Sequence, residues 1–237
     1  MTLQAKRGFL PSDARDFSEQ SLPTLRRAAA EVCYLLDRGY PVTNTTRFVG
    51  DRYQFSERQR LALARTLSPT AHIAARRERE VQSVRGKTLC IDGFNVIIGL
   101  EIAFSASMLF TCMDGTVRDL AGLHGTYRLI PQTDLAVRAL LKALTELGAA
   151  GAVIYLDKPV SNSGRLRQRI LETAGEPPFA LEVLIENPVD AILKTKPLIA
   201  TGDAIILDEC TEWFNLVRYI LDTQFEGFPL VDILPRD

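Results

Sequence analysis

The sequence predicts an α/β domain, a sheet sandwiched by helices, preceded by a small all-helical domain. Three observations carry this expectation. Beyond Gly86-Lys87, short apolar runs of strand length alternate with stretches of helical periodicity. Before that point, apolar residues recur at helical spacing. The charge divides at the same place: residues 1–87 hold 16 Lys and Arg against 9 Asp and Glu, and residues 88–237 hold 12 against 20. A chain of 237 residues has room for one large domain or two modest ones. The shift in pattern and charge selects two, with boundaries 1–86 and 87–237.

Composition narrows the class. With 46% hydrophobic and 24% charged residues, the chain is neither disordered nor a small disulfide-stapled scaffold. No uncharged apolar run approaches the ~18 residues of a membrane span. The first residues, Met-Thr-Leu-Gln-Ala-Lys-Arg, form no apolar signal core, so a cytoplasmic location is expected. Cys33, Cys90, Cys112 and Cys210 lie far apart, and His72 and His124 are the two histidines. That spacing gives no zinc motif and points to buried reduced thiols.

In the basic half, Ser21 and Pro23 open a helix whose inward stripe is Leu25, Ala28, Ala29, Val32, Leu35 and Leu36, closed by Gly39. Tyr40 to Tyr53, with Pro41, Asn44, Gly50 and two threonines, reads as a connection. Ser56-Glu-Arg-Gln59 is a capping-box pattern opening the next helix. Ser68-Pro69-Thr70 ends that helix and begins another. Arg58 and Arg65, seven residues apart, share a helix face and are candidates for contact with nucleic-acid phosphates, in a helix-turn-helix arrangement or otherwise.

In the acidic half, strands are expected at Thr88–Ile91, Ala152–Leu156, Ala180–Ile185, Pro197–Ala200 and Leu230–Leu234. Helices are expected at Asp134–Leu147, capped by Thr133 and stopped by Gly148, then at Ser163–Ala174 and Trp213–Leu221. Acids follow the strands. Asp92 comes directly after the first, Asp157 after the second and Asp203 just after the fourth, while Asp190 lies on the turn or helix leading into the fourth. The carboxyl ends of parallel strands border the crevice that binds ligands. Carboxylates gathered there repel unless protonated, solvated or neutralised. Oxygen donors without His or Cys favour Mg²⁺ or Mn²⁺, ions that activate water and stabilise charge on phosphate.

Leu89-Cys-Ile-Asp-Gly-Phe-Asn-Val-Ile97 resembles the D-G-[YF]-N-[VI] opening of NYN-type domains in the PIN-like ribonuclease superfamily. Pro188-Val-Asp-Ala-Ile-Leu193 followed by Leu198-Ile-Ala-Thr-Gly-Asp203 is similar to that superfamily's later pair of acids. The chain as a whole, including Asp157-Lys-Pro-Val-Ser-Asn-Ser-Gly164, looks like an uncharacterised prokaryotic family that joins a helical domain of unknown function 434 to a PIN-like domain. The resemblance implies an open, mostly parallel PIN-like sheet and a Mg²⁺- or Mn²⁺-dependent endoribonuclease. It makes Asp92, Asp190 and Asp203 the metal ligands, with Asp157 and Asn95 in support. One departure is Ile205, where such sites often carry a further acid two residues after the T-x-D aspartate.

Two further stretches are candidates for the substrate. Ser161, Asn162 and Ser163 precede a helix bearing Arg165 and Arg169, a grouping that suits a phosphate. Asp114–Arg128 is dense in Gly, charge and Tyr and reads as a substrate loop or lid, in which His124 is a candidate acid or base. The function expected is hydrolysis of RNA phosphodiesters at the strand-end aspartates. The alternative is a non-catalytic module that binds RNA or a nucleotide.

Overall fold

The computed structural model describes residues 7–122 and 125–236. The elements run α1 (Asp13–Asp16), α2 (Leu22–Leu36), α3 (Val42–Arg52), α4 (Glu57–Thr66), α5 (Thr70–Glu78), β1 (Thr88–Asp92) and α6 (Gly93–Phe104). They continue through β2 (Leu109–Thr111), β3 (Val117–Arg118), α7 (Pro131–Glu146), β4 (Gly151–Asp157), α8 (Ser163–Ala174) and β5 (Ala180–Glu186). The chain ends with α9 (Val189–Lys194), β6 (Ile199–Ala200), α10 (Ala204–Leu207), α11 (Leu216–Gln224) and β7 (Leu230–Val231). Among the described residues no helix is long and apolar enough to cross a membrane.

The chain divides into two units, and neither is one continuous stretch. One comprises Gly8–Glu78, Ser107–Ala121 and residues 229–236; the other comprises Arg7, Arg79–Ala106 and Gly122–Phe228. Residues 107–121 and 229–236, which follow the expected boundary at 86/87, therefore belong with the helices. The reason is burial. Phe110, Leu120 and Ile233 share one core with Leu25, Ala28, Val32, Val49 and Leu63, and each large apolar side chain so buried contributes about 1.5–3 kcal/mol. The segments meet as a small sheet of order β3-β2-β7, so the expected last strand exists but pairs with β2 rather than with the parallel sheet.

Within this unit the Ser56 capping box forms as its sequence predicts. Ser56 Oγ accepts from Gln59 N at 3.2 Å, and Gln59 Oε1 accepts from Ser56 N at 3.0 Å. The stretch expected as a connection from Tyr40 to Tyr53 is instead α3, with extended Pro41 as its N-cap. Thr45, Thr46, Val49 and Gly50 face inward, and Thr46 Oγ1 donates to Val42 O at 2.9 Å. Tertiary burial here overrides weak helix propensity.

The other unit holds a four-stranded, all-parallel sheet of order β5-β4-β1-β6. From β1 the chain steps outward to β4 and then β5, and returns to place β6 on the far side of β1. Right-handed crossovers make the returning α9 cover the opposite face from α7 and α8. There Val189 and Leu193 pack with Cys90, Tyr155, Ile199 and Trp213. The reversal of strand order falls beside β1, which is where open α/β sheets bind ligands.

Two parts of the stretch expected as a polar loop or lid are built into the cores instead. Asp114 is buried, with Arg76 Nη1 and Arg118 Nη2 each 2.7 Å from its carboxylate. Tyr127 is buried and donates to Glu101 Oε1 at 2.6 Å, while Arg7 Nε lies 2.7 Å from Glu101 Oε2. Polar residues are tolerated inside when each finds a partner, and sequence spacing does not display those partners. His124 lies outside the described residues.

Candidate active site

Asp92 is both the last residue of β1 and the N-cap of α6. The turn is tight because Gly93 touches β4: a Cβ there would stand 2.8 Å from Tyr155 O and 2.6 Å from Leu156 Cδ2. The Asp92 side chain is only 7% exposed. Its Oδ1 accepts from Asn95 N at 3.3 Å, and its Oδ2 accepts from Thr201 Oγ1 at 2.8 Å. Thr201 Oγ1 also accepts from Asp203 N at 3.0 Å, and Asn95 Oδ1 accepts from Gly202 N at 2.7 Å. The two motifs D-G-F-N and T-G-D are thus stapled together across the β1–β6 edge by Asn95 and Thr201. Asn95, expected to support the metal or its water, spends its carbonyl on this staple.

Asp203 caps α10, its Oδ1 accepting from Ile205 N at 2.7 Å and Ile206 N at 3.3 Å. Asp157 ends β4, and Asp190 lies in the first turn of α9. These four aspartates come from the carboxyl ends of three adjacent strands and from the start of the helix that returns across the sheet. Burial pushes the Asp92 carboxyl up to about 7, against the hydrogen bonds from Thr201 and Asn95, with Asp203 and Asp157 raising it further. Burial and then Asp190 raise Asp157; burial and then Asp203 raise Asp190. The repulsions close a ring, Asp92–Asp157–Asp190–Asp203. Lys194, four residues after Asp190 on the same helix face, bonds Glu209 Oε1 at 2.7 Å and feels both Asp190 and Asp203.

The donor set consists of hard carboxylate oxygens, as Mg²⁺ or Mn²⁺ requires. Among the described residues no three His, Cys, Asp or Glu side chains are spaced to hold one ion. Asp92, Asp190 and Asp203 therefore do not form the direct three-ligand cage expected of them. Mg²⁺ is usually held by one or two carboxylates and keeps several waters, so it does not require such a cage. Ile205, in the place of the usual further acid, is 62% exposed. Asp208 closes the far end of α10.

The residues expected to meet substrate fare differently. Ser163 Oγ donates to Asp157 O and Val160 O, each at 2.6 Å. Ser161 Oγ and Asn162 Nδ2 both donate to Tyr127 O. Their polar side chains thus hold backbone at the start of α8, with Asn162 in the left-handed region at φ 63°. Arg165 is exposed on α8, whereas Arg169 Nε pairs with Asp134 at 3.4 Å. Arg58 corrects the expectation of an open cationic face: its guanidinium bonds both oxygens of Asp13, at 2.8 and 2.7 Å, and the carbonyls of Gly8 and Leu120. Arg65 donates to Asp119 O at 2.6 Å. Spacing placed both arginines on one face of α4 but did not show the acids opposite them. Thr201 and Lys194 were missed; T-G-D itself and the i, i+4 spacing from Asp190 were the available signals.

A family model described as "Protein of unknown function (DUF434)" matches residues 24–79, and one described as "Domain of unknown function (DUF5616)" matches residues 81–219. The chain belongs to the DUF5616 family. A curated relative, "Uncharacterized protein MJ0935" of Methanocaldococcus jannaschii, is 32% identical over 201 residues, covering 84% of this chain and 94% of its own length. No solved structure matches the chain. The DUF5616 region contains Asp92, Asp157, Asp190 and Asp203 together with Asn95, Thr201 and Lys194, so every element of the carboxylate ring lies inside it.

Proposed function

We propose that the DUF5616 domain is a PIN-like, Mg²⁺- or Mn²⁺-dependent ribonuclease. The observation that supports this best is the ring of four aspartates at the carboxyl ends of β1, β4 and β6 and the start of α9, set where the strand order reverses. Asp92 and Asp203, stapled together through Thr201, would hold the ion, with Asp190 closing the ring. Bound there, it would supply an activated water and offset the charge developing on a phosphate. The protein's own residues prepare that chemistry. Thr201 and Asn95 hold the two acidic turns in register. Burial favours the protonated Asp92 carboxyl, so a cation binding there would displace its proton. Asp157, at the end of the neighbouring strand, would support the ion. Arg165, exposed on α8, offers a charged hydrogen-bond donor to the RNA backbone.

The test is cleavage of an end-labelled single-stranded RNA with Mn²⁺ and with chelator. Wild type is expected to cut only with metal, and Asp92→Asn and Asp203→Asn to lose at least a hundredfold in rate. A second reading, a non-catalytic RNA- or nucleotide-binding module, is favoured by the exposed Ile205 where an acid is usual. Metal-dependent RNA binding without cleavage by wild type would select it.

A further inference from the structure

The helical unit carries an exposed face that neither the carboxylate ring nor Arg58 and Arg65 explain. Between α2 and α3 lies an open groove of about 460 Å³, walled by Tyr34, Phe48, Leu35 and Val49, with Arg52 and Glu31 at its margin. Phe48 is 71% exposed and Tyr34 58%, the two most exposed large hydrophobic side chains among the described residues of this unit. The Arg38 guanidinium lies over one face of the Tyr34 ring, 3.4 Å from its centroid, and leaves the other face for a ligand. Sharing Ala30 with this groove is a second pocket of about 420 Å³, lined by Arg26, Arg27 and Arg236 together with Pro23. The two linings together present four arginines against one carboxylate, Glu31, and of the four Arg236 lies 3.5 Å from the Asp232 carboxylate. Arg26 donates from Nη2 to Asp232 O, while its Nε is buried without a hydrogen-bond partner.

From this arrangement we infer that the α2–α3 face is a binding site for single-stranded RNA, with backbone phosphates in the arginine pocket and unpaired bases stacked on Tyr34 and Phe48. The charge selects an anion. The flat, exposed rings beside it select an anion that carries unpaired π-faces, because paired bases are shielded inside a duplex. Stacking on an aromatic ring tolerates any base, so recognition is expected to be broad in sequence and steep in salt. The site belongs to the helical unit and the carboxylate ring to the other; the choice of RNA over single-stranded DNA rests on the ribonuclease reading, the binding of a single strand does not.

Fluorescence anisotropy of labelled oligoadenylate in chelator tests it on the full chain. Wild type is expected to bind the single strand, and Phe48→Ala to weaken binding about tenfold or more, with Phe48→Trp restoring it. Arg27→Gln is expected to reduce the slope of log affinity against log salt by roughly 0.7. Oligoadenylate annealed to oligouridylate is expected to bind more weakly and to ignore residue 48. Because binding is read in chelator, where the carboxylate site has no ion to work with, its loss separates failure of this site from failure of the catalytic one. Because Phe48 is on the surface, circular dichroism of Phe48→Ala should match wild type. No binding at low salt, or equal binding by wild type and Phe48→Ala, overturns the proposal. Self-association of wild type that Phe48→Ala abolishes also overturns it and assigns the face to a second copy of the chain.

Discussion

Asp92 concentrates the conflict between folding and function in one side chain. It is nearly buried, accepts two hydrogen bonds, and still has its carboxyl held up to about 7 because burial outweighs them. The folded state binds this proton more tightly than the unfolded chain, whose carboxyl titrates near its ordinary value, so wild type loses stability as pH rises from about 4 to about 7. Asp92→Asn escapes that loss. Its amide oxygen still accepts from Asn95 N, and its NH₂ donates to Thr201 Oγ1. In urea denaturation the variant is expected to exceed wild type at pH 8 by on the order of 2–4 kcal/mol, with the difference closing toward pH 4. A variant less stable than wild type at pH 8 would contradict this account of the site. The acids themselves were legible in the sequence, because a residue following a buried strand marks a sheet edge whatever the fold. Their partners were not. Thr201 lies 109 residues from Asp92, and Asp13 lies 45 from Arg58, so no local spacing announces either pair.

At the level of elements, the site depends on α6 starting directly against β4. Gly93 makes this possible, since a Cβ there would collide with Tyr155 O, a backbone atom that cannot step aside, as well as with Ile154 and Leu156. Gly93→Ala is expected to cost about 2–3 kcal/mol in urea denaturation, in the upper range for overpacking. A cost below about 0.5 kcal/mol would show that the turn relaxes freely. Elements with strong local signals matched expectation: the Ser56 capping box, Ser163–Ala174, and the strands of the parallel sheet to within a residue or two. The miss at α3 has a local cause. Gly50 is unfavourable in an isolated helix, but here the Arg60 guanidinium occupies the space a Cβ would take, 2.7 Å away.

For the molecule as a whole, the division of charge between residues 1–87 and 88–237 was readable from composition, while the joining of residues 107–121 and 229–236 to the helical unit was not. β2, β3 and β7 are too short to announce which core they complete, and only long-range burial recruits them to the helical unit. The central claim is that the carboxylate ring is a divalent-cation site, and melting with and without Mn²⁺ tests it most directly. An ion that binds only the folded state at a hundredfold excess over Kd adds about 2.7 kcal/mol, or roughly 5–10 °C for a chain of this size. Wild type is expected to show that rise at millimolar Mn²⁺, and Asp92→Asn to lose most of it while melting at least as high as wild type in chelator. No rise in wild type, or an equal rise in Asp92→Asn, would contradict the claim.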